Sequence, residues 1–441
     1  MTLRYPWGER MKNHELYRRK TVSVEEALNH IKSGQEICCS LIACEPVAML
    51  SQLHTIKDRV EDVSVVAALL TYEYDFFMDP GMRGHFTFNN WFYTGGARKA
   101  HANGTVSYIP LELHRAVSSR SALRKPDVFL GCASPMDQHG YLSLSIDSVY
   151  EKEIIERADT VILEVNPNFP RAFGDTHIHI SAIDCIIETD RPLPVMPEVK
   201  ISAKEKLIGE YVADLIEDES TLQIGYGSIP MAVTASLTDK KDLGVHTELF
   251  SEGLLDLYEA GAITNRKKTI WKDKFIADCA IGTRRLYDFL DNNMAVEFHR
   301  GSVVNDPLII GQNHKMVAVN SALEMDLTGQ CCAESIGSRH YSGTGGHKEF
   351  AQGVQYSPGG KSIIAFLSTA RNDTVSHIVP FLSPGATVTT SRIDVDYVVT
   401  EYGVASLRGR SVRERVKELI NIAHPDFKDY LHSEAQRNQI W

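Results

Sequence analysis

The sequence contains no hydrophobic run of the length that a membrane protein needs. Nowhere in its 441 residues does an uncharged apolar stretch approach the roughly 20 residues that span a bilayer. The segment MTLRYPWGERMKNHELYRRK at the start is rich in charge and lacks the apolar core of a secretory signal. We therefore expect a cytoplasmic protein that is not bound to a membrane.

Basic residues are also scarce. Lys and Arg total 46 against 57 Asp and Glu, which gives a formal net charge of −11. A protein that coats nucleic acid or an anionic membrane needs a dense basic surface. The deficit excludes both as main partners, but small anionic ligands can still bind at one local site.

The cysteines and histidines lack the spacing of a disulfide framework or a metal site. No CxxC pair occurs among the eight cysteines, so free thiols in a reducing compartment are the simplest interpretation. Asp175, His177 and His179 alternate in GDTHIHI and would share one face of a strand. Without an HExxH motif or a fourth ligand, we favour polar packing there and predict no metal.

What is present is a regular alternation of short apolar, β-branched runs with helical patterns, which predicts an α/β fold. Several runs are apolar on both faces, as central parallel strands are. The segment 127–146 has the pattern of a hairpin, so we expect a mixed sheet. A proline-rich stretch, RPLPVMPEVK at 191–200, predicts a linker between a first domain, 1–190, and a second, 201–441.

A faint internal repeat suggests that the two domains are related. Ser23-Val-Glu-Glu26 and Ser202-Ala-Lys-Glu205 both have the pattern of a capping box that opens a helix. Each is followed by a strand and then by a Pro-x-Ala-x4-Leu frame, at Pro46 and at Pro230. We expect each of these prolines to begin a helix, since proline is favoured at the first helical position.

Three segments are candidates for chemistry. Gly225-Tyr-Gly-Ser-Ile229 lies between a strand and a helix, where glycines and free helix N–H groups can bind an anion; a tight structural turn is an equally good interpretation. Glu248 in HTELFSEG follows a short strand, and could be a nucleophile, a general base or a surface charge. The cluster from Arg408 to Lys417 could face phosphates or be a solvated helix face.

Taken together, five motifs resemble the acetyl-CoA hydrolase/transferase family, in particular its 4-hydroxybutyrate and butyrate:acetate CoA transferases. They are GYGSIP, HTELFSEG, SIGSRHYSGTGGHKEF, YVVTEYGVASLRGRS and INIAHPDF, in the family's order and spacing. The resemblance implies two similar open α/β domains that face each other across a central cleft. It also implies that the second domain carries a nucleophilic glutamate, which falls on Glu248, and that the reaction passes through a glutamyl-CoA thioester.

The resemblance implies the site residues as well. The catalytic residues would be Glu248, Asn305 and Gly346, the last two as donors to oxyanions. The CoA-binding residues would be Gly225, Tyr226, Gly227, Ser228, Ile229, Leu323, Gly343, Gly345, Ser368 and Val388. CoA and acyl-CoA enter as substrates with short-chain carboxylates, no cofactor is tightly bound, and we expect a homodimer or a higher homo-oligomer.

Other activities remain open at this point. On the same scaffold, water could resolve the enzyme intermediate, which would make the protein an acyl-CoA hydrolase. A non-catalytic acyl-CoA binding protein is a third possibility, although the glutamate and the glycine loops are intact. If Arg83 or Arg98 pairs with a second carboxylate, the substrate would be a dicarboxylic acid such as succinate or itaconate; otherwise both are simply exposed arginines.

Overall fold

A computed structural model describes the chain from residue 7 to residue 441, with side chains from residue 12 onward. It divides into two compact units. The first consists of the described part of Met1–Met196 together with Asp278–Ser302, and the second of Pro197–Ala277 with Val303–Trp441. The change of unit after Met196 falls inside the predicted linker. The segment Asp278–Ser302 belongs to the first unit, while the predicted domain boundaries stay a prediction.

The first unit is built on an open parallel sheet of seven strands. These are β1 (Glu36–Cys39), β2 (Val63–Ala67), β3 (Phe86–Asn90), β4 (Val106–Tyr108), β5 (Val128–Ala133), β6 (Thr160–Val165) and β7 (Cys185–Glu188). They lie in the order β7-β6-β5-β1-β2-β3-β4, and every neighbouring pair is parallel. The strands β1, β2 and β5 are buried along their whole length, as their continuous apolar sequences predict.

The second unit is built on a six-stranded sheet. Its strands are β8 (Thr221–Ile224), β9 (Gly244–Val245), β10 (Met316–Asn320), β11 (Lys361–Ala365), β12 (Tyr397–Thr400) and β13 (Gly403–Ser406), in the order β9-β8-β10-β11-β12-β13. All neighbours are parallel except β12 and β13. The α/β prediction is therefore confirmed, and the mixed sheet occurs in this unit.

The predicted hairpin at 127–146 is wrong. Strand β5 already pairs with β1 on one side and β6 on the other, so no edge is left for a hairpin partner. The second half of the predicted hairpin forms a short strand, Tyr141–Ser143, which pairs antiparallel with His177–His179 instead of with β5. Further short strands of the first unit are Phe173–Gly174, Cys279–Ala280 and Val296–Phe298. Those of the second unit are Leu249–Phe250, Phe275–Ala277, Glu324–Asp326, Cys331–Cys332, Ser335–Ile336, Arg339–His340, Thr369–Ala370, Val375–Ser376 and Ile378–Val379.

Helices connect the strands. In chain order they are α1 (Trp7–Lys20), α2 (Val24–Leu28), α3 (Val47–Leu50), α4 (Asp75–Met78), α5 (Gly95–Ala100), α6 (Ala116–Leu123), α7 (Glu151–Ile155), α8 (Ala203–Leu215), α9 (Ser228–Ala235), α10 (Glu252–Glu259), α11 (Arg284–Leu290), α12 (Gly301–Val304), α13 (Pro307–Ile310), α14 (His347–Gly353), α15 (Val412–Asn421) and α16 (Pro425–Arg437). Within residues 7–441, no helix combines the length and the apolar character needed to cross a membrane.

Both predicted capping boxes form. The hydroxyl of Ser23 accepts from the N–H of Glu26, whose carboxylate accepts from the N–H of Ser23, and Ser202 and Glu205 do the same at α8. The prolines of the repeat do not begin their helices. Pro46 is the residue before α3, while α9 begins at Ser228, two residues before Pro230. The sequence predicts that the glycine turn ends before the helix. In the structure, the last residues of the turn are the first helical residues of α9.

The order of the strands fixes where ligands can approach. In the second unit the chain runs from β8 outward to β9, and then returns to the other side of β8 to form β10. Open α/β sheets bind ligands outside the carboxyl ends of the strands at such a reversal. The register places these ends level, since Ile224 pairs with Val319 and Asn320 with Ile364. The loops after β8, β9, β10 and β11 consequently lie along one edge.

Candidate active site

The predicted glycine turn lies at this edge, directly after β8. Gly227 has φ +134, a conformation that disfavours any residue with a Cβ, and it is the cap residue of α9. The Ser228 hydroxyl donates to Glu205, the residue that also closes the capping box of α8. Residues 225–229 are all partly exposed. The turn is thus held by α8 while its residues keep partial exposure to solvent.

Glu248 follows β9 after two fully buried residues, His246 and Thr247. The His246 Nε2 is 2.8 Å from the carbonyl oxygen of Val304, and its Nδ1 is 3.3 Å from the Asn313 Nδ2. Because Nδ2 can only donate, Nδ1 accepts and Nε2 carries the proton, which makes the imidazole neutral. His246 therefore ties the strand end that carries Glu248 to the segment that carries Asn305.

The three predicted catalytic residues come together in the second unit. The Asn305 Nδ2 donates to the Glu248 Oε2 at 3.0 Å, and the backbone N–H of Gly346 also donates to the Glu248 carboxylate. A Cβ at Gly346 would overlap the Glu248 Oε2 and would lie 2.7 Å from the Asn305 Nδ2. Only glycine permits this close approach, so the Gly346 N–H can reach the carboxylate.

Burial raises the pKa of the Glu248 carboxyl to about 7. The hydrogen bond from Asn305 and that from the Gly346 N–H act in the opposite direction, while the nearby carboxylate of Glu349 raises the pKa further. The side chain as a whole is half-buried rather than enclosed. Glu248 thus carries a weakly solvated carboxyl group that titrates near neutral pH, and weak solvation makes its carboxylate form more reactive as a nucleophile.

The loop that carries Gly343, Gly345 and Gly346 rests on Glu334, which is 4% exposed. The Thr344 hydroxyl donates to the Glu334 Oε2 at 3.2 Å, and the backbone N–H of Ser342 donates to its carbonyl oxygen. Gly345 has φ +51, where glycine is favoured. This anchored turn aims the Gly346 N–H at Glu248.

The other predicted CoA-binding residues are spread along the same unit. Leu323 lies three residues after β10, and its N–H donates to Cys332. Ser368 lies three residues after β11, at the same edge as the Gly225 turn, but it is fully buried, and both its N–H and its hydroxyl donate to Glu401, at 2.8 and 2.9 Å. Val388 is 44% exposed. Contact of these residues with CoA stays a prediction.

The cationic cluster near α15 is engaged within the fold. Arg408 pairs with Asp396 at 3.3 Å, and Arg410 with Glu418 at 3.4 Å. The Arg415 Nη1 donates to the carbonyl oxygen of Thr328 at 3.1 Å. These contacts favour a structural role over a phosphate-facing one. In the first unit, Arg83 is exposed, and Arg98 is half-buried with its Nη1 donating to Tyr93 at 3.4 Å; a second carboxylate at either stays a prediction.

The cluster in GDTHIHI is not arranged as a metal site. Asp175 lies within 3.5 Å of the His299 Nδ1 and 3.3 Å of the Arg300 Nε, and the hydrogen bond to His299 is the main cause that lowers the pKa of Asp175 to about 2. His177 is exposed. Among the side chains that the structure describes, from residue 12 onward, no group of three or more His, Cys, Asp and Glu could hold a metal ion.

Sequence reasoning missed the fully buried Glu349, whose Oε2 accepts from the Asn305 Nδ2 at 3.2 Å. It lies in the quoted motif GTGGHKEF, in the first turn of α14. An acid in that position has an ordinary explanation, since it favours the positive end of the helix. Nothing in the sequence indicates that it shares an amide with Glu248, because Asn305 lies 44 residues earlier.

Family models match most of the chain. Residues 6–197 match the acetyl-CoA hydrolase/transferase N-terminal domain, and residues 282–435 match the C-terminal domain of the same name. Both matches agree with the resemblance carried by the five motifs.

Individual relatives match over nearly their whole length. The chain is 43% identical to a succinyl-CoA:cyclohexane-1-carboxylate CoA transferase of Geobacter metallireducens, over 96% of each protein. It is 42% identical to a 4-hydroxybutyrate coenzyme A transferase of Clostridium kluyveri, over 97% of this chain and 100% of that one. Among solved structures, RipA from Yersinia pestis matches with a TM-score of 0.92 at 35% identity, over 98% of this chain and 100% of RipA.

Proposed function

The chain belongs to the acetyl-CoA hydrolase/transferase family, and from that premise we propose that it is a CoA transferase that moves CoA between short-chain carboxylic acids. One observation carries the proposal: Glu248, with a pKa of about 7, is held by the Asn305 amide and the Gly346 N–H beside an accessible glycine turn. This geometry joins a nucleophile to two donors that can stabilise an oxyanion.

The reaction follows from that geometry. The Glu248 carboxylate attacks the thioester carbonyl of an acyl-CoA; the C–S bond breaks, and a mixed acyl-glutamyl anhydride and the CoA thiolate form. The thiolate then attacks the Glu248 carbonyl, which releases the first acid as a carboxylate and leaves a glutamyl-CoA thioester. A second carboxylate reverses both steps and leaves as the new acyl-CoA. Both enzyme intermediates are activated acyl groups, so no ATP is needed.

Asn305 and Gly346 act when the Glu248 carbonyl is attacked. Each attack on that carbon puts negative charge on its oxygen, and donors already within hydrogen-bond distance stabilise that charge without rearrangement. The Asn305 Nδ2 is 3.0 Å from the Glu248 Oε2 before the reaction begins. The partly exposed glycine turn after β8 would receive CoA.

Hydrolysis is the second candidate. The same glutamyl intermediate could be resolved by water, and Glu248 is half-buried rather than sealed. Product formation with and without an added carboxylate acceptor separates the two activities. A transferase forms a new acyl-CoA only with an acceptor, whereas a hydrolase releases CoA at the same rate without one.

The decisive test is a covalent adduct. The protein is incubated with acyl-CoA and its intact mass is measured, followed by peptide mapping after borohydride reduction. We expect modification at Glu248 and none in Glu248→Ala. If Glu248→Ala transfers CoA at the full rate and no adduct forms, the mechanism is wrong. A panel of acceptors, namely acetate, butyrate, 4-hydroxybutyrate, succinate and itaconate, then identifies the substrate class.

Three further properties belong to the same proposal. The protein holds no cofactor tightly, because the Glu248 carboxylate supplies all the covalent chemistry. It forms a homodimer or a higher homo-oligomer, as enzymes of this size commonly do, which light scattering would measure. It works in the reducing cytoplasm, with which its eight free and buried cysteines are consistent.

A further inference from the structure

A second carboxylate lies beside the proposed nucleophile. Glu349 is the third residue of α14, three positions after Gly346, and its side chain is completely buried. The helix is fixed by Phe350, which packs with Val304, Ile310 and apolar side chains of β10 in one buried cluster. A carboxylate at that depth destabilises the fold unless it is hydrogen-bonded, and Asn305 donates one such bond to Glu349.

The Asn305 amide uses its two hydrogens on two different carboxylates. Its Nδ2 donates to the Glu248 Oε2 at 3.0 Å and to the Glu349 Oε2 at 3.2 Å. An ionised carboxylate can only accept, so both neighbours require the NH₂ end of the amide on their side. If the amide rotated by half a turn, its Oδ1 would face two carboxylate oxygens and repel both. The Asn305 Oδ1 is buried, and it has no hydrogen-bond partner among the described residues.

We propose that Glu349 is a positioning residue for CoA transfer, which fixes the Asn305 amide so that one N–H always points at the reacting oxygen of Glu248. The inference rests on the proposed function. Glu349 does not react, so it keeps its hold on the second amide hydrogen while Glu248 passes from carboxylate to anhydride and thioester. When the thiolate or the second acid attacks the Glu248 carbonyl, the donor for the resulting oxyanion is already oriented.

Glu349 also acts on Glu248 through its charge. It is one of the causes that raise the pKa of Glu248. The neighbouring histidines carry no positive charge that would cancel the charge of Glu349. The hydrogen bonds of His246 require a neutral ring. Burial lowers the pKa of His347 to about 4, so His347 is neutral as well. Lys348, next on α14, is half-buried.

The test uses three variants and a readout that does not depend on turnover. Infrared difference spectra between each protein and its Glu248→Gln counterpart follow the protonation of Glu248 against pH. In Glu349→Gln we expect the midpoint to move to lower pH, because a like charge has been removed. In Glu349→Asp the charge remains, so the midpoint stays above that of Glu349→Gln. Glu164→Gln, which removes a buried carboxyl from the first unit, is the matched control and should not move it.

Steady-state kinetics measure how much the positioning of Asn305 by Glu349 contributes to turnover. We expect kcat to fall about tenfold in both Glu349→Gln and Glu349→Asp, the size of one misplaced hydrogen bond, with KM for acyl-CoA within about twofold of the parent. Thermal unfolding of each variant checks that it is folded, and Glu349→Asp keeps the test valid if Glu349→Gln does not fold.

Two results would overturn the proposal. One is an unchanged Glu248 midpoint in Glu349→Gln, which leaves Glu349 a merely structural role; the other is a full kcat in both variants. Failure of the proposed function gives a different pattern, because the parent protein would then transfer no CoA with any acceptor while the infrared midpoints could still be read.

Discussion

Two glutamates, one in each unit, have similar acidity but different surroundings. Burial raises the pKa of both Glu45 and Glu248 to about 7. Glu45 is fully buried, and its carboxylate accepts from the N–H and the hydroxyl of Thr71 and from the hydroxyl of Tyr74, at 2.5, 2.7 and 2.8 Å. Glu248 is half-buried, and its carboxylate accepts from the Asn305 side chain and the Gly346 N–H. A raised pKa therefore does not by itself distinguish the proposed nucleophile from Glu45; the two residues differ in their exposure.

The turns after the first strand of each sheet differ in the same way. Residues 41–46, after β1, are all buried and include no glycine. Residues 225–229, after β8, are all partly exposed and contain two glycines, of which Gly227 has φ +134. The corresponding turn is buried in the first unit and partly exposed in the second. The comparison predicts that chemistry belongs to the second unit and stability to the first.

The largest expected effect separates the two glutamates directly. Glu248→Gln keeps the shape of the side chain but removes the nucleophile, and we expect transfer activity to fall ~10³-fold or more. Glu45→Gln preserves an acceptor for Thr71, and should keep activity within about threefold of the parent. Initial rates with one acyl-CoA and one acceptor measure both. Equal losses of activity in the two variants would contradict the different roles assigned to the two glutamates.

The next effect concerns the close approach at Gly346. In Gly346→Ala the new methyl group would overlap the Glu248 Oε2, and we expect kcat to fall ~100-fold, the cost of displacing a reacting group by about 1 Å. In Gly225→Ala the methyl group meets only Pro230, at 4.0 Å, so the fold is undisturbed. There we expect a higher KM for acyl-CoA and little change in kcat. A normal kcat in Gly346→Ala would contradict the site geometry.

Removal of the buried carboxylate in the first unit should lower the stability of the protein. Glu45→Ala leaves the two donors of Thr71 and the hydroxyl of Tyr74 without an acceptor, and we expect a loss of about 3 kcal/mol in the free energy of unfolding of that unit. Urea unfolding, followed by circular dichroism, measures it. Glu248→Gln is the matched variant and should unfold at nearly the parent's urea concentration. A larger loss in Glu248→Gln would reverse the roles of the two units.

The smallest effect is a pH dependence. With a pKa of about 7, Glu248 is protonated and unreactive in acid, so kcat/KM should fall about tenfold for each pH unit below 7. A raised carboxyl pKa has the opposite effect on stability, which falls as the pH rises. A carboxyl whose pKa is raised by folding contributes stability below its unfolded pKa, and loses that contribution as the pH rises through about 7. Glu45→Gln should flatten this fall in stability while leaving the acid limb of kcat/KM unchanged.

Local patterns in the sequence predicted local structure well. The capping boxes at Ser23 and Ser202 form because each needs only residues three positions apart. Two other predictions of local structure failed, for different reasons. The 127–146 segment forms no hairpin because both edges of β5 are taken by strands from elsewhere in the chain, and α9 begins before Pro230 because Gly227 supplies the required backbone conformation. The domain boundaries at 190 and 201 stay a prediction.

The sequence by itself determined the α/β class, the family and the identity of Glu248 as the candidate nucleophile, since these depend on periodicity and on short motifs. The tertiary structure decided what surrounds that glutamate. It brought Asn305 and Gly346 within hydrogen-bond distance of Glu248 and added Glu349, from segments up to about a hundred residues away along the chain. Burial, hydrogen bonding and charge at a carboxylate are properties of its neighbours in space, and only folding sets them.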